Sequence, residues 1–141
     1  MANLARSVAT LRISGDDLLP EEISSLLGSE PTHGQHRGQE ISNKSGMRIA
    51  KFGHWRLEAK DEEPENLDAQ VHELLNRLTP DLLVWSTLSN QFRIDLFCGL
   101  FMNKSNEGVS IAPSTLTSLG ERGIELSLDI YAPDIDDKLF K

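Results

Sequence analysis

His33, His36, Arg37, Lys44, Arg48, Lys51, His54 and Arg56 fall within one short stretch, opposed there only by Glu40. The whole chain has 14 Lys and Arg against 22 Asp and Glu, a formal charge of −8, so this stretch reverses the local sign. A guanidinium is a flat fork of donors that matches the paired oxygens of a carboxylate or phosphate. Arg37 and Arg56 are therefore read as anion-binding groups, with His54 as a further polar group and Trp55 as a ring able to stack on a ligand. The opposing reading is that these cations pair with the acidic connector Glu58, Asp61, Glu62, Glu63 and Glu65 and form a solvated face, as charge runs usually do. It carries the greater weight.

Other residues with chemical potential reduce to simpler explanations. His33, His36 and His54 could converge on a metal, but zinc needs three or four ligands and this spacing matches no known signature, so no metal is expected. Asp16 and Asp17 lie where catalytic carboxylates often sit, yet Asp is common in turns for its local hydrogen bonds. Cys98, the one cysteine, lies in the apolar run Phe97 to Phe101 and reads as a small buried hydrophobe. Trp55 and Trp85 have the phase of core residues, which for Trp55 outweighs stacking. No serine-nucleophile elbow, phosphate-binding glycine loop, zinc-protease or dinucleotide fingerprint is present. No catalytic residue is assigned and no cofactor is expected.

The bulk properties suit one domain over residues 1–141, long enough to bury a core without staples. The negative charge argues against a nucleic-acid partner. No run is long enough for a signal peptide or a membrane span, and one cysteine cannot form an internal disulfide, so a cytoplasmic protein with no membrane partner is expected.

Hydrophobic periodicity supplies the elements. Ser7 to Ile13 reads as a strand and Pro20 as the start of a short helix, with Ile23, Leu26 and Leu27 inward and Gly28 as its left-handed cap. Residues 31–46 have no periodicity and read as a loop. A strand in two pieces around Gly53 follows, with Trp55, Leu57 and Ala59 facing one way and Arg56 and Glu58 the other. Asn66 caps a helix with Leu67, Val71, Leu74, Leu75 and Leu78 as its stripe. Thr79 caps a second piece whose apolar area comes from Leu82, Leu83, Trp85 and Leu88. Residues 91–102 form the strongest strand: Phe92, Ile94, Leu96, Cys98 and Leu100 share one face, and the other turns from Arg93 and Asp95 to Phe97 and Phe101. A short strand at 109–111, a helix from Pro113 with Leu116 and Leu119, and a strand with Ile124, Leu126, Leu128 and Ile130 inward complete the pattern. Residues 132–141 read as a frayed acidic tail, with Leu139 and Phe140 able to dock. Both ends run strand, proline-started helix, glycine stop. The expectation is an α+β domain with a mixed or antiparallel sheet, helices mainly on one face, and a ferredoxin-like plan with a helical insertion.

The stretch from Leu11 to Thr32, the Arg37–Gly38 turn, the Gly53 to Leu57 segment, the Leu67 to Leu78 helix with His72, and the closing Ser127 to Tyr131 together resemble the domain-of-unknown-function family 4279, over nearly the whole chain. Pro31, Gly38 and Trp55 match its recurring positions. Leu19 departs from it, standing where a capping Asp is expected before Pro20. The resemblance implies a bacterial domain without an assigned mechanism. Small size, acidity and the Phe97–Phe101 face favour a non-enzymatic, immunity-like protein that binds a protein partner. The alternative is a small-ligand or anion binder, or an enzyme, using Arg37, His54 and Arg56. Pairing of two copies through an exposed sheet edge or the Phe97–Phe101 patch is compatible with either.

Overall fold

In the computed structural model, residues 4–133 are described. The first strand, β1 (Arg6–Gly15), alternates strictly. Ala9, Leu11 and Ile13 are buried, while Thr10 and Arg12 face the other way. Leu19 offers no side-chain cap to α1 (Pro20–Leu27), which starts on the fixed φ of Pro20 and ends at Gly28 in the left-handed conformation. Ser24, not Leu26, completes its buried stripe, because the hydroxyl of Ser24 accepts a 3.1 Å hydrogen bond from the indole of Trp55. Leu26 is exposed.

The stretch expected as a loop contains β2 (His33–Gln35) and the hairpin β3 (Glu40–Asn43) and β4 (Gly46–Ile49). Both hairpin strands are largely exposed, which is why no apolar alternation marks them. The two pieces around Gly53 thus belong to different sheets: β4 to the hairpin and β5 (Gly53–Glu58) to the main one. A side chain at Gly53 would lie 2.4 Å from the carbonyl oxygen of Leu18, so only glycine permits the close approach there.

Asn66 caps α2 (Leu67–Asn76), accepting from the Ala69 N–H, and Leu67, Val71 and Leu74 are buried. The cap of α3 (Leu82–Gln91) is Asp81, which accepts from the Leu83 N–H; the expected Thr79 lies outside, its carbonyl taken by the Trp85 indole at 2.8 Å. Trp85 and Leu88 are buried but Leu82 and Leu83 are not, since this helix presents a narrower face. The strand β6 (Arg93–Phe101) follows, then α4 (Pro113–Glu121) and β7 (Glu125–Tyr131). In α4, Leu119 is buried and Leu116 exposed. Residues 109–111 form no strand, because β6 already has neighbours on both edges; Val109 and Ile111 pack against the core instead.

The main sheet has five strands in the order β2-β5-β1-β6-β7, all antiparallel except β6 with β7. The core lies between one face of this sheet and the helices. The result is an α+β domain with a mixed sheet and a helical insertion. The two ends are not a structural repeat: β6 and β7 are parallel neighbours across α4, whereas β1 and β5 are antiparallel neighbours. In β7 only Ile124 just before it and, partly, Leu126 reach the core; Leu128 and Ile130 are exposed because the helical layer stops short of the sheet edge. The expected docking of Leu139 and Phe140 lies outside the described residues.

Candidate functional site

Among the described residues no helix covers the second face of the sheet. Strand register sends two rows of polar side chains onto it. Arg12 stands between Arg56 on one side and Asp95 on the other, and in the next row Ser14 stands between His54 and Arg93. Together with Phe52 they line a cleft of about 190 Å³.

The charges within it are only partly matched. Arg12 makes a two-pronged pair with Asp95, at 2.8 and 2.5 Å, and its guanidinium lies 4.4 Å from the Phe97 ring centre. Burial alone would raise the Asp95 carboxyl, but hydrogen bonds from Arg12 and Ser127 and the charges of Arg12 and Arg93 outweigh it, and the net pKa lies below the ordinary value. The same hydrogen bond raises the Arg12 pKa. Arg93 reaches Glu125 at 3.3 Å, an exposed pair worth little. Arg56 stands directly across from Arg12, an unfavourable placement for like charges. Its Nε is buried without a hydrogen-bond partner among the described residues, as is Nδ1 of His54. Burial, then the charges of Arg56, His33 and Arg48, hold the His54 pKa below its ordinary value. The ring therefore reports a positive local field.

The hairpin stands beside this cleft. Gln35 donates to the carbonyl of Phe52 at 2.9 Å, and Gly38 and Ala50 bond back across the base of the hairpin. The Phe52 ring lies 6.1 Å from that of His54. Met47 and Ile49, 65% and 63% exposed, give the hairpin an apolar surface.

Of the residues singled out from the sequence, His54 and Arg56 line the cleft. Trp55 points the opposite way into the core, fully buried, so its ring is not offered to a ligand. Arg37 does not line the cleft; it pairs with Asp16 at 3.9 Å and Asp17 at 3.3 Å. Those two aspartates thus serve the turn and its arginine. Of the connector acids, Glu58 lies 3.8 Å from His33, but Asp61 pairs with Arg6. Among the described residues no cluster of three or more His, Cys, Asp or Glu could hold a metal. Cys98 is buried, its thiol pushed up to about 12 by burial and by Asp95. No helix among the described residues is long and apolar enough to cross a membrane. Sequence reasoning missed Arg12 and Ser14, whose signal was a polar residue at every second place of an apolar strand, and Phe52.

Fold and site together define a one-sided α+β domain with a cationic cleft on its uncovered sheet face. The family model for the domain of unknown function DUF4279 matches residues 5–133, and the chain belongs to that family. No curated protein and no solved structure matches the chain.

Proposed function

We propose that this is a binding domain that takes an anionic group on the open face of its sheet. The observation that carries the reading is the unsatisfied pair of buried donors and acceptors in the cleft, Arg56 Nε and a ring nitrogen of His54. A buried donor such as Arg56 Nε left without a partner costs about 1–3 kcal/mol, which a ligand oxygen would offset. The lining holds Arg12, Arg56 and Arg93 against the one carboxylate of Asp95, so an anion meets a net positive wall.

The size of the cleft narrows the ligand. Sites for whole small molecules run to roughly 300–1,000 Å³, and 190 Å³ accommodates one carboxylate or phosphate group. The hairpin also exposes Met47 and Ile49, an apolar surface that favours a carboxylate borne by a protein over a free anion. An immunity-like role would be one case of this, with Arg56 and His54 gripping an acidic side chain of the partner.

Thermal unfolding tests the anion step. Sodium acetate and sodium phosphate are compared with sodium chloride at matched ionic strength, because excluded salts stabilise any protein. An anion at ten times its dissociation constant adds about 1.4 kcal/mol, which shifts the melting temperature by a few degrees. The rise over chloride is expected in the native chain and lost in Arg56→Gln. Equal shifts in both proteins would sink the reading.

A further inference from the structure

The last strand of the sheet, β7, ends the order on its side, and among the described residues nothing pairs with its outer edge. The carbonyl of Tyr131 accepts from the N–H of Met102, at 3.1 Å, so the backbone groups of Tyr131 face β6. Backbone groups alternate along a strand. Those of Leu126, Leu128 and Ile130 therefore face outward. The side chains of Leu128 and Ile130, 43% and 56% exposed, are the apolar groups the helical layer leaves uncovered. A free edge of this length with apolar side chains is a template for another strand.

We propose that the partner is a second copy of this chain, with two β7 strands antiparallel and Leu128 on the two-fold axis. The strand sequence selects that occupant and that register. Centred on Leu128, the pairing uses all seven residues of the strand, sets Leu128 against Leu128 and Leu126 against Ile130, and puts Ser127 opposite Asp129 and Glu125 opposite Tyr131. No like charges face each other. A slip to either neighbouring centre sets Asp129 against Asp129 or Glu125 against Asp129, which is unfavourable. The Leu128 register also makes 126–130 and 128–128 the hydrogen-bonded pairs, which agrees with the direction of their backbone groups. An isologous contact of this kind closes on itself and joins two five-stranded sheets into one. The two cationic clefts remain open, since they lie across β5, β1 and β6.

Sedimentation equilibrium of the full chain, from low micromolar to millimolar, tests the pairing. The expected result is a mass rising from 15.7 kDa to twice that value. Leu128→Lys places two ammonium groups on the axis and is expected to weaken the dimer by about tenfold or more. Leu83→Lys, at an exposed leucine of α3, leaves it unchanged. Amide hydrogen exchange of the native chain reads the register independently of any variant. The amides of Leu126, Leu128 and Ile130 become protected as concentration rises, while those of Ser127, Asp129 and Tyr131 are protected throughout. A mass that stays monomeric at every concentration overturns the proposal. So does a dimer in which the three outward amides exchange freely, because its contact then lies elsewhere.

Discussion

His54 shows how a side chain records its surroundings. Burial and the charges of Arg56, His33 and Arg48 lower its pKa from 6.5, so at that pH the ring carries less charge than an isolated histidine does. Between the folded value and 6.5 the unfolded chain binds a proton that the native chain does not. The stability this histidine contributes is therefore full above 6.5 and is lost as pH falls through the lower folded value. Denaturant midpoints measured from pH 7.5 to pH 5 should fall more steeply in the native chain than in His54→Gln. Identical slopes would show that another group governs this window. The Asp95 carboxyl titrates below its ordinary value of 3.8, outside the range compared. A bound anion reverses the effect on His54: negative charge in the cleft raises its pKa, so NMR titration of the ring with and without phosphate reads the same site from a second direction.

At the scale of elements, the attachment of α2 rests on a polar clamp as well as on its leucines. The Ser7 hydroxyl donates to Gln70 Oε1 at 2.6 Å, and Gln70 Nε2 donates to the carbonyls of Ser7 and Lys60 at 3.0 and 2.9 Å. Ser7 Oγ also accepts from the N–H of Asn66, the cap residue of the helix. Ser7 and Gln70 are both buried, in positions that periodicity assigns to apolar residues. Gln70→Leu removes the acceptor of the buried Ser7 hydroxyl and the amide donor to the Lys60 carbonyl, while the Ser7 carbonyl keeps the N–H of Glu62, and should cost about 1–3 kcal/mol in urea unfolding. A cost near zero would mean that water replaces the amide. Elements with one buried stripe were legible in the sequence: β1, β5, α2 and β6 fall where alternation or helical spacing put them. What escaped was decided by neighbours. The hairpin has no buried face to betray it, and the inward phase of Leu128 and Ile130 was sound but no helix among the described residues reaches them. Half of the cleft was legible as a run of cations. The rest needed the register of β1 against β5 and β6, which joins residues far apart in the chain.

For the whole molecule, the decisive fact is the place of β1, between β5 and β6 at the centre of the sheet. Its two apolar flanks come from strands on either side of the α2–α3 insertion, so neither half of the chain contains a complete core. A fragment ending at Phe92 keeps β1, β5 and both helices but lacks Ile94, Leu96, Cys98 and Leu100, all buried in the core. Circular dichroism of that fragment is expected to show no cooperative thermal transition. A sharp transition would show that the first half folds alone. Local patterns fix which segments are strands but not which edge each one takes, and this order was therefore the least legible part of the architecture.

The partnership of Arg12 with Asp95 spans 83 positions. During synthesis at about 5–20 residues per second, the central strand emerges roughly 4–17 s before its second neighbour does. For that interval a nascent chain exposes Leu11 and Ile13 on one side of a strand with an unpaired edge, in the crowded space around the ribosome. The centre of the finished sheet thus waits for a neighbour made late in the chain.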